Sequence, residues 1–333
     1  MKLFLLSKKN LELSKEEVIA LTTEEYKLID NLLLLETNNI KELAKRLAFT
    51  KSIYELLFTA NKKNLKDKIK AYDWNSIYKK DFCVRASELK ESKLADLIWN
   101  KLKKPKANLE NPKTEIVFIK KGDQIYATLL LKTLKNNFEK RKSHLRPEQS
   151  PTALDPRLAR AIVNLTGAKE GETICDPFCG SGGILIEAGL IGLKPLGYDL
   201  YKLMLNKAKA NLNHFKIKNY KLIQEDAIKI KERFQYIVTD VPYGLNTSIW
   251  TKQRNKTKKI SITGKNKKES IKELEGFYLK FLKKIKAEKI IIIFPHYVKY
   301  KKFIKLSKYK ITKEFSQFIH GSLTRKILIL KKD

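Results

Sequence analysis

Cysteine is scarce in this 333-residue chain, and long apolar runs are absent. Cys83, Cys175 and Cys179 cannot build a disulfide framework, and no paired CxxC spacing suits zinc. A reducing, cytosolic compartment and a metal-free protein are the natural expectations. The N-terminal stretch opens apolar but stops at Lys8, without the length or the small-residue site of a secretory signal. The later apolar run over 290–295 is far too short to span a bilayer, so neither secretion nor membrane insertion is expected. Acidic residues are also outnumbered, 36 Asp plus Glu against 70 Lys plus Arg, for a net charge of +34. Such an excess calls for a polyanionic partner, either nucleic acid or an anionic membrane surface. An apolar content of 43% is enough for sizeable cores and excludes a disordered or fibrous protein.

Residues 1–60 alternate extended runs (2–7, 53–58) with amphipathic helical stretches (15–21, 40–49), which is the pattern of a small α+β unit. Five lysines face one aspartate on a helix expected over 62–70. An extended Phe82-Cys83-Val84-Arg85 follows, then a helix over 89–102 and a hairpin of runs 115–119 and 124–131 turned by Gly122-Asp123. Residues 136–150 are polar and basic, and the domain boundary is expected there. Beyond it, strands (173–176, 194–199, 221–224, 236–240, 289–294) alternate with helices (156–165, 183–191, 202–215, 271–285). That alternation predicts a doubly wound α/β sheet, closed by an antiparallel hairpin of runs 311–319 and 324–330.

The segment Asp176-Pro177-Phe178-Cys179-Gly180-Ser181-Gly182-Gly183 stands directly after a strand and before a helix. Glycines there let a nucleotide-like ligand approach the backbone. A dinucleotide fingerprint needs a third glycine at position 185, which is Leu, and no Lys-Ser/Thr follows to make a phosphate-binding P-loop. Nor is there any Lys or Arg from Gly171 to Leu193, so a neutral or zwitterionic ligand fits better than a phosphorylated one. Asp199 ends the next strand, where a carboxylate can take ribose hydroxyls. Asp226 follows the third, where one can accept from an adenine amine. Either aspartate alone reads as a helix cap; the ordered set after three successive strands favours a binding site.

Asp240-Val241-Pro242-Tyr243-Gly244 ends the fourth strand, beside the glycine turn in a parallel sheet. The exocyclic amine of a base is a poor nucleophile because its lone pair is delocalised. A carboxylate (Asp240) and a backbone carbonyl (Val241) accepting its two hydrogens would make it a competent acceptor of a methyl group. The ring of Tyr243 would hold the flipped base, and Pro242 would stiffen the turn.

Together these segments resemble the class I S-adenosylmethionine-dependent methyltransferases that modify amino nitrogens of nucleic-acid bases. Those proteins pair an Asp-Pro-Phe-x-Gly-x-Gly cofactor loop, complete here from Asp176 to Gly182, with an (Asp/Asn/Ser)-Pro-Pro-(Tyr/Phe) catalytic loop, in which Val241 here replaces the first proline. Arg146-Pro147, the segment 154–165 and His320-Gly321-Ser322-Leu323-Thr324-Arg325 are similar to the archaeal tRNA guanine-10 N2-methyltransferases. The resemblance implies a ferredoxin-like domain over 1–60, a THUMP RNA-binding domain over 61–135, a linker over 136–150 and a Rossmann-like catalytic domain over 151–333. It implies S-adenosylmethionine held by Asp176, Pro177, Phe178, Gly180, Gly182, Asp199 and Asp226, with Asp240, Val241, Pro242 and Tyr243 as the catalytic segment. The implied product is N2-methyl- or N2,N2-dimethylguanosine in tRNA.

Basicity is spread over both halves of the chain, which fits an RNA substrate. From Thr251 to Lys268 there are eight Lys/Arg and no carboxylate; Lys252, Arg254, Lys256 and Lys258 are candidate phosphate contacts, and Trp250 a candidate stacking residue. His144 and His320 are expected to be structural, since this chemistry needs no imidazole. Two other readings remain open at this point: a DNA adenine-N6 methyltransferase, and an RNA-binding protein of the same fold without turnover.

Overall fold

The computed structural model describes residues 1–22, 25–244, 249–253, 256–260, 267–321 and 323–332. The chain divides into two compact units, one of Met1–Lys15 with Thr22–Asn136, the other of Glu16–Leu21 with Asn137–Asp333. Among the described residues, no helix is long and apolar enough to cross a membrane.

The first unit is built from β1 (Lys2–Leu6), α1 (Leu11–Thr22, shared with the second unit), β2 (Tyr26–Ile29), β3 (Leu32–Leu35), α2 (Ile40–Arg46), β4 (Thr50–Ala60), α3 (Leu65–Ala71), β5 (Phe82–Ala86), α4 (Glu91–Trp99), β6 (Thr114–Lys121) and β7 (Gln124–Thr133). Its seven strands form a single sheet in the order β2-β3-β1-β4-β7-β6-β5. Strand β4 pairs with β1 along one edge and β7 along the other, so residues 1–60 and 61–135 share one sheet. The apolar stretch over 27–35 is a hairpin: Asp30 takes the left-handed conformation (φ 50°), and Asn31 Nδ2 donates to Leu6 O at 2.8 Å. Helices α3 and α4 turn Leu65, Ile69, Leu94 and Ile98 toward a core with Trp74, Phe82 and Phe118. The opposite face of α3 leaves Lys66, Lys68 and Lys70 exposed.

The second unit continues with α5 (Pro156–Asn164), β8 (Thr173–Asp176), α6 (Gly183–Gly189), β9 (Lys194–Asp199), α7 (Lys202–His214), β10 (Lys221–Gln224), β11 (Arg233–Asp240), β12 (Ile249–Gln253), β13 (Lys256–Ile260), α8 (Lys267–Lys284), β14 (Lys286–Pro295), α9 (Tyr300–Lys305), β15 (Tyr309–His320) and β16 (Leu323–Lys332). The main sheet has the order β10-β9-β8-β11-β14-β16-β15. The first five strands are parallel, and β16 enters antiparallel between β14 and β15. This is the α/β architecture that the strand-helix alternation predicts. Buried on both faces, a central parallel strand reads as an unbroken apolar run, as Ile290–Phe294 does. Helix α8 covers it with Leu274, Tyr278, Phe281 and Leu282, spaced to share one helix face.

Three local features differ from the sequence reading or add to it. Helix α9 is too short for its periodicity to register. The basic stretch contains an antiparallel ribbon, β12 with β13. Within the expected linker over 136–150, two 3₁₀ turns form, Phe138–Arg141 and Ser143–Leu145, both in the second unit. They are pinned to α6, where fully buried Glu187 accepts from Arg141 Nε at 2.7 Å and pairs with Arg160 Nη2 at 2.8 Å. A buried carboxylate survives in a core only when matched in this way.

Candidate active site

Parallel strands β8, β9 and β11 end in Asp176, Asp199 and Asp240, and Asp226 stands two residues past β10. All four side chains line one cavity of about 460 Å³ at the carboxyl ends of the strands, where ligands of such sheets bind. Of the predicted site residues, Pro177, Phe178, Gly180, Val241, Pro242 and Tyr243 also line it; Gly182 does not, although its neighbours Ser181 and Gly183 do. No described Lys, Arg or His lines the cavity.

Asp176 anchors the glycine turn. Its Oδ1 accepts from Phe178 N at 3.1 Å and from Thr239 Oγ1 at 2.7 Å. Burial, reinforced by the charges of Asp240 and Asp199 and opposed by the two hydrogen bonds, pushes its carboxyl up to about 7. Gly180 and Gly182 both take positive φ, 50° and 84°. A Cβ on Gly182 would stand 3.2 Å from Ala208 Cβ on α7, so this glycine is required for packing. A Cβ on Gly180 would meet nothing within 4 Å; this glycine keeps cavity space free.

Asp199 fastens the turn from the neighbouring strand: Gly180 N donates to its Oδ2 at 3.0 Å and Tyr201 N to its Oδ1 at 2.9 Å. Burial raises its carboxyl despite those bonds. Asp226 accepts from Ile228 N at 3.0 Å. Neither aspartate caps a helix, since Tyr201 is the N-cap of α7 and a turn, not a helix, follows Asp226; each combines cavity lining with bracing of its own loop.

The Asp240 segment is held from three sides. Val241 N donates to Ile293 O at 3.4 Å, Tyr278 Oη to Pro242 O at 2.7 Å, and Tyr297 Oη to Tyr243 O at 2.8 Å. These anchors supply the stiffness that a second proline would otherwise give. Tyr243 Oη donates to Asp240 Oδ1 at 2.5 Å, and Arg325 Nη2 lies 3.7 Å from Oδ2. Burial lifts the Asp240 carboxyl to about 6, with Arg325 and the Tyr243 hydrogen bond pulling it back. Burial also pushes the Tyr243 phenol far up, so it stays neutral.

Thr239 and Asn211 escaped the sequence reading, and Arg325 entered it only as the last residue of the 320–325 segment, with no role assigned. Asn211, fully buried on α7, donates to Ser181 O at 3.0 Å and to Glu148 O at 2.9 Å, tying the glycine turn to the 143–150 segment. The segment continues into the cavity wall as Ser150, Thr152, Ala153 and Leu154. Only the alternation of β11, which sends Thr239 and Asp240 to opposite faces, hinted at Thr239. Arg254 and Ser322, and the side chains of Trp250, Lys252, Lys256, Lys258 and His320, lie outside the described residues.

The residues present fit a cationic ligand bearing a nucleoside. Among the described residues, four carboxylates and no basic group line the cavity, and the Gly180 cradle, which a Cβ would occupy, is open.

Comparison with known proteins agrees. The family described as "RMKL-like, methyltransferase domain" matches residues 143–260. The tRNA (guanine(10)-N2)-dimethyltransferase of Methanothermobacter thermautotrophicus is 32% identical over 307 residues, covering 88% of this chain and 85% of its own. The enzyme of that name from Pyrococcus abyssi is 37% identical over 202 residues, 56% of this chain and 60% of its own. Among solved structures, TrmN from Thermus thermophilus superposes with a TM-score of 0.52 at 16% identity, covering 100% of this chain and 99% of that one, a likeness of fold. With a match of this length and identity, the chain is a methyltransferase and belongs to the tRNA (guanine(10)-N2)-dimethyltransferase family.

Proposed function

We propose that this protein transfers methyl groups from S-adenosylmethionine to the exocyclic N2 of guanine 10 in tRNA, giving N2-methyl- and then N2,N2-dimethylguanosine. One observation carries the reading: a single cavity, lined by four carboxylates and, among the described residues, no cation, joins the glycine turn to Asp240 and its anchored loop. The cofactor, when bound, supplies a methyl group activated on a sulfonium. Asp176 is placed to accept from its ammonium, Asp199 from its ribose hydroxyls and Asp226 from its adenine amine. Asp240 accepts one hydrogen of the guanine amine and the Val241 carbonyl the other, restoring nucleophilic character to the nitrogen. The Tyr243 ring holds the flipped base, with its own hydroxyl already committed to Asp240. Pro242 and the Tyr278 and Tyr297 hydroxyls keep the loop from yielding.

The first unit would grip tRNA by shape and phosphates, with residues 1–60 as the ferredoxin-like part and 61–135 as the THUMP part. Exposed Lys62, Lys63, Lys66, Lys68 and Lys70, offset only by Asp67, support this assignment. Residues 136–150 would connect it to the catalytic part over 151–333, and the cytoplasm, where tRNA matures, would be its compartment. The test is transfer of labelled methyl from S-adenosylmethionine to unmodified tRNA, with nucleoside analysis of the product and duplex DNA as competitor. N2-methylated guanosine is expected; methylated adenine in DNA would overturn the reading.

A further inference from the structure

The functional reading gives the segment after the β15-β16 turn no task, yet the sheet delivers one of its residues to the site. Asp240 pairs with Ile293 on one side of β14, and Ile293 pairs with Ile327 on the other. Because β16 runs antiparallel, Arg325, opposite Pro295, lies two residues further along, past the end of β11. His296 secures that register: its N donates to Thr324 O at 2.9 Å and its Nδ1 accepts from Thr324 N at 3.1 Å. Arg325 is 9% exposed. Its Nε donates to Tyr243 Oη at 3.1 Å, its Nη2 stands 3.7 Å from Asp240 Oδ2, and its guanidinium carbon is 6.0 Å from the Tyr243 ring centre.

A guanidinium has five donors, no acceptor and no accessible neutral form. Tyr243 Oη must therefore accept from Arg325, and the single phenolic hydrogen is directed at Asp240 Oδ1. A carboxylate receiving that hydrogen is held in its acceptor form. We propose that Arg325 is a positioning residue for methyl transfer: through a closed ring of contacts with Tyr243 and Asp240 it keeps Asp240 ionised and aims the Tyr243 hydroxyl at it. The proposal rests on the reading of Asp240 as acceptor of the amine hydrogen. Among the described residues, the other groups facing Asp240 give it no cation. Asp176 on β8 is a second carboxylate, Tyr278 on α8 a neutral phenol, and β14 presents Ile293. Burial opposes the charge on Arg325, whereas Asp240, Tyr243 and Asp155 favour it. Lysine would supply the charge without the fork that reaches both partners.

The test begins without cofactor or tRNA. In protein carrying ¹³C-carboxyl aspartate, the Asp240 resonance is identified by its absence from Asp240→Asn and titrated in the parent, in Arg325→Gln and in Arg325→Lys. The parent midpoint is expected near 6. Arg325→Gln should move it up by about one unit, and Arg325→Lys by clearly less. In the transfer reaction, Arg325→Gln should lower kcat at least about tenfold with KM for tRNA within about twofold, and shift the acid limb of the pH profile upward. Arg325→Lys should restore the limb but not the rate, a separation that a merely structural role would not produce. Thermal unfolding shows that each variant is folded. An unmoved midpoint in folded Arg325→Gln, or unchanged kcat, overturns the role of Arg325. A parent that titrates as expected but transfers no methyl to tRNA overturns the functional reading instead.

Discussion

Tyr243 donates its phenolic hydrogen to the carboxylate of Asp240, three residues earlier in the chain, at 2.5 Å. The ring thus has two separable parts, a face for a base and a hydroxyl for Asp240. Tyr243→Phe keeps the face and is expected to lower kcat about tenfold with little change in KM for tRNA; Tyr243→Ala should raise KM as well. Steady-state kinetics decides, and equal behaviour of the two variants would remove the stacking role.

Asp199 is expected to matter for cofactor binding twice over, as a ligand group and as the clamp on Gly180 and Tyr201. Asp199→Ala should weaken S-adenosylmethionine binding by about 1–3 kcal/mol, roughly five- to 150-fold. Calorimetric titration measures this, and unchanged affinity would remove the ribose assignment.

The cofactor's effect on stability should depend on pH through Asp176. Its folded pKa of about 7 lies above the 3.8 of an unperturbed carboxyl, so folding favours the protonated form. Stability from this group is complete below the unfolded value and is lost as pH rises through the folded one. A bound cation favours the ionised form and reverses that loss. The rise in melting temperature caused by S-adenosylmethionine should therefore grow between about pH 5.5 and about pH 8. Scanning calorimetry across that range checks it; a flat response would place the ligand's positive groups away from Asp176.

The two glycines of the turn should fail differently. Gly182→Ala drives a Cβ against Ala208 from a left-handed backbone and should cost about 1–3 kcal/mol of stability. Gly180→Ala meets no protein atom, so its stability loss should be smaller and its loss of cofactor affinity larger. Paired unfolding and binding measurements separate the two.

The sequence was most legible where chemistry is local. The glycine turn and the Asp240 segment each lie within eight consecutive residues, and strand ends placed Asp199 and Asp226 beside them. Groups acting across the sheet left no such trace. Asn211 reaches Ser181 over thirty residues, and Arg325 reaches Tyr243 over eighty-two. Only the strand order and the register of β16 bring such pairs together. The single sheet of the first unit was hidden for the same reason, since β4 looks like one strand among several until both of its partners are known.

The most direct test of the account uses two tRNA transcripts identical except at position 10, guanosine in one and inosine, which lacks the exocyclic amine, in the other. Each is incubated with labelled S-adenosylmethionine and either the parent protein or Asp240→Asn. The expected result is N2,N2-dimethylguanosine at position 10 from the parent, no label in the inosine transcript, and at least about a thousandfold slower transfer by Asp240→Asn with cofactor affinity retained. Equal labelling of both transcripts, or undiminished transfer by Asp240→Asn, would contradict the account.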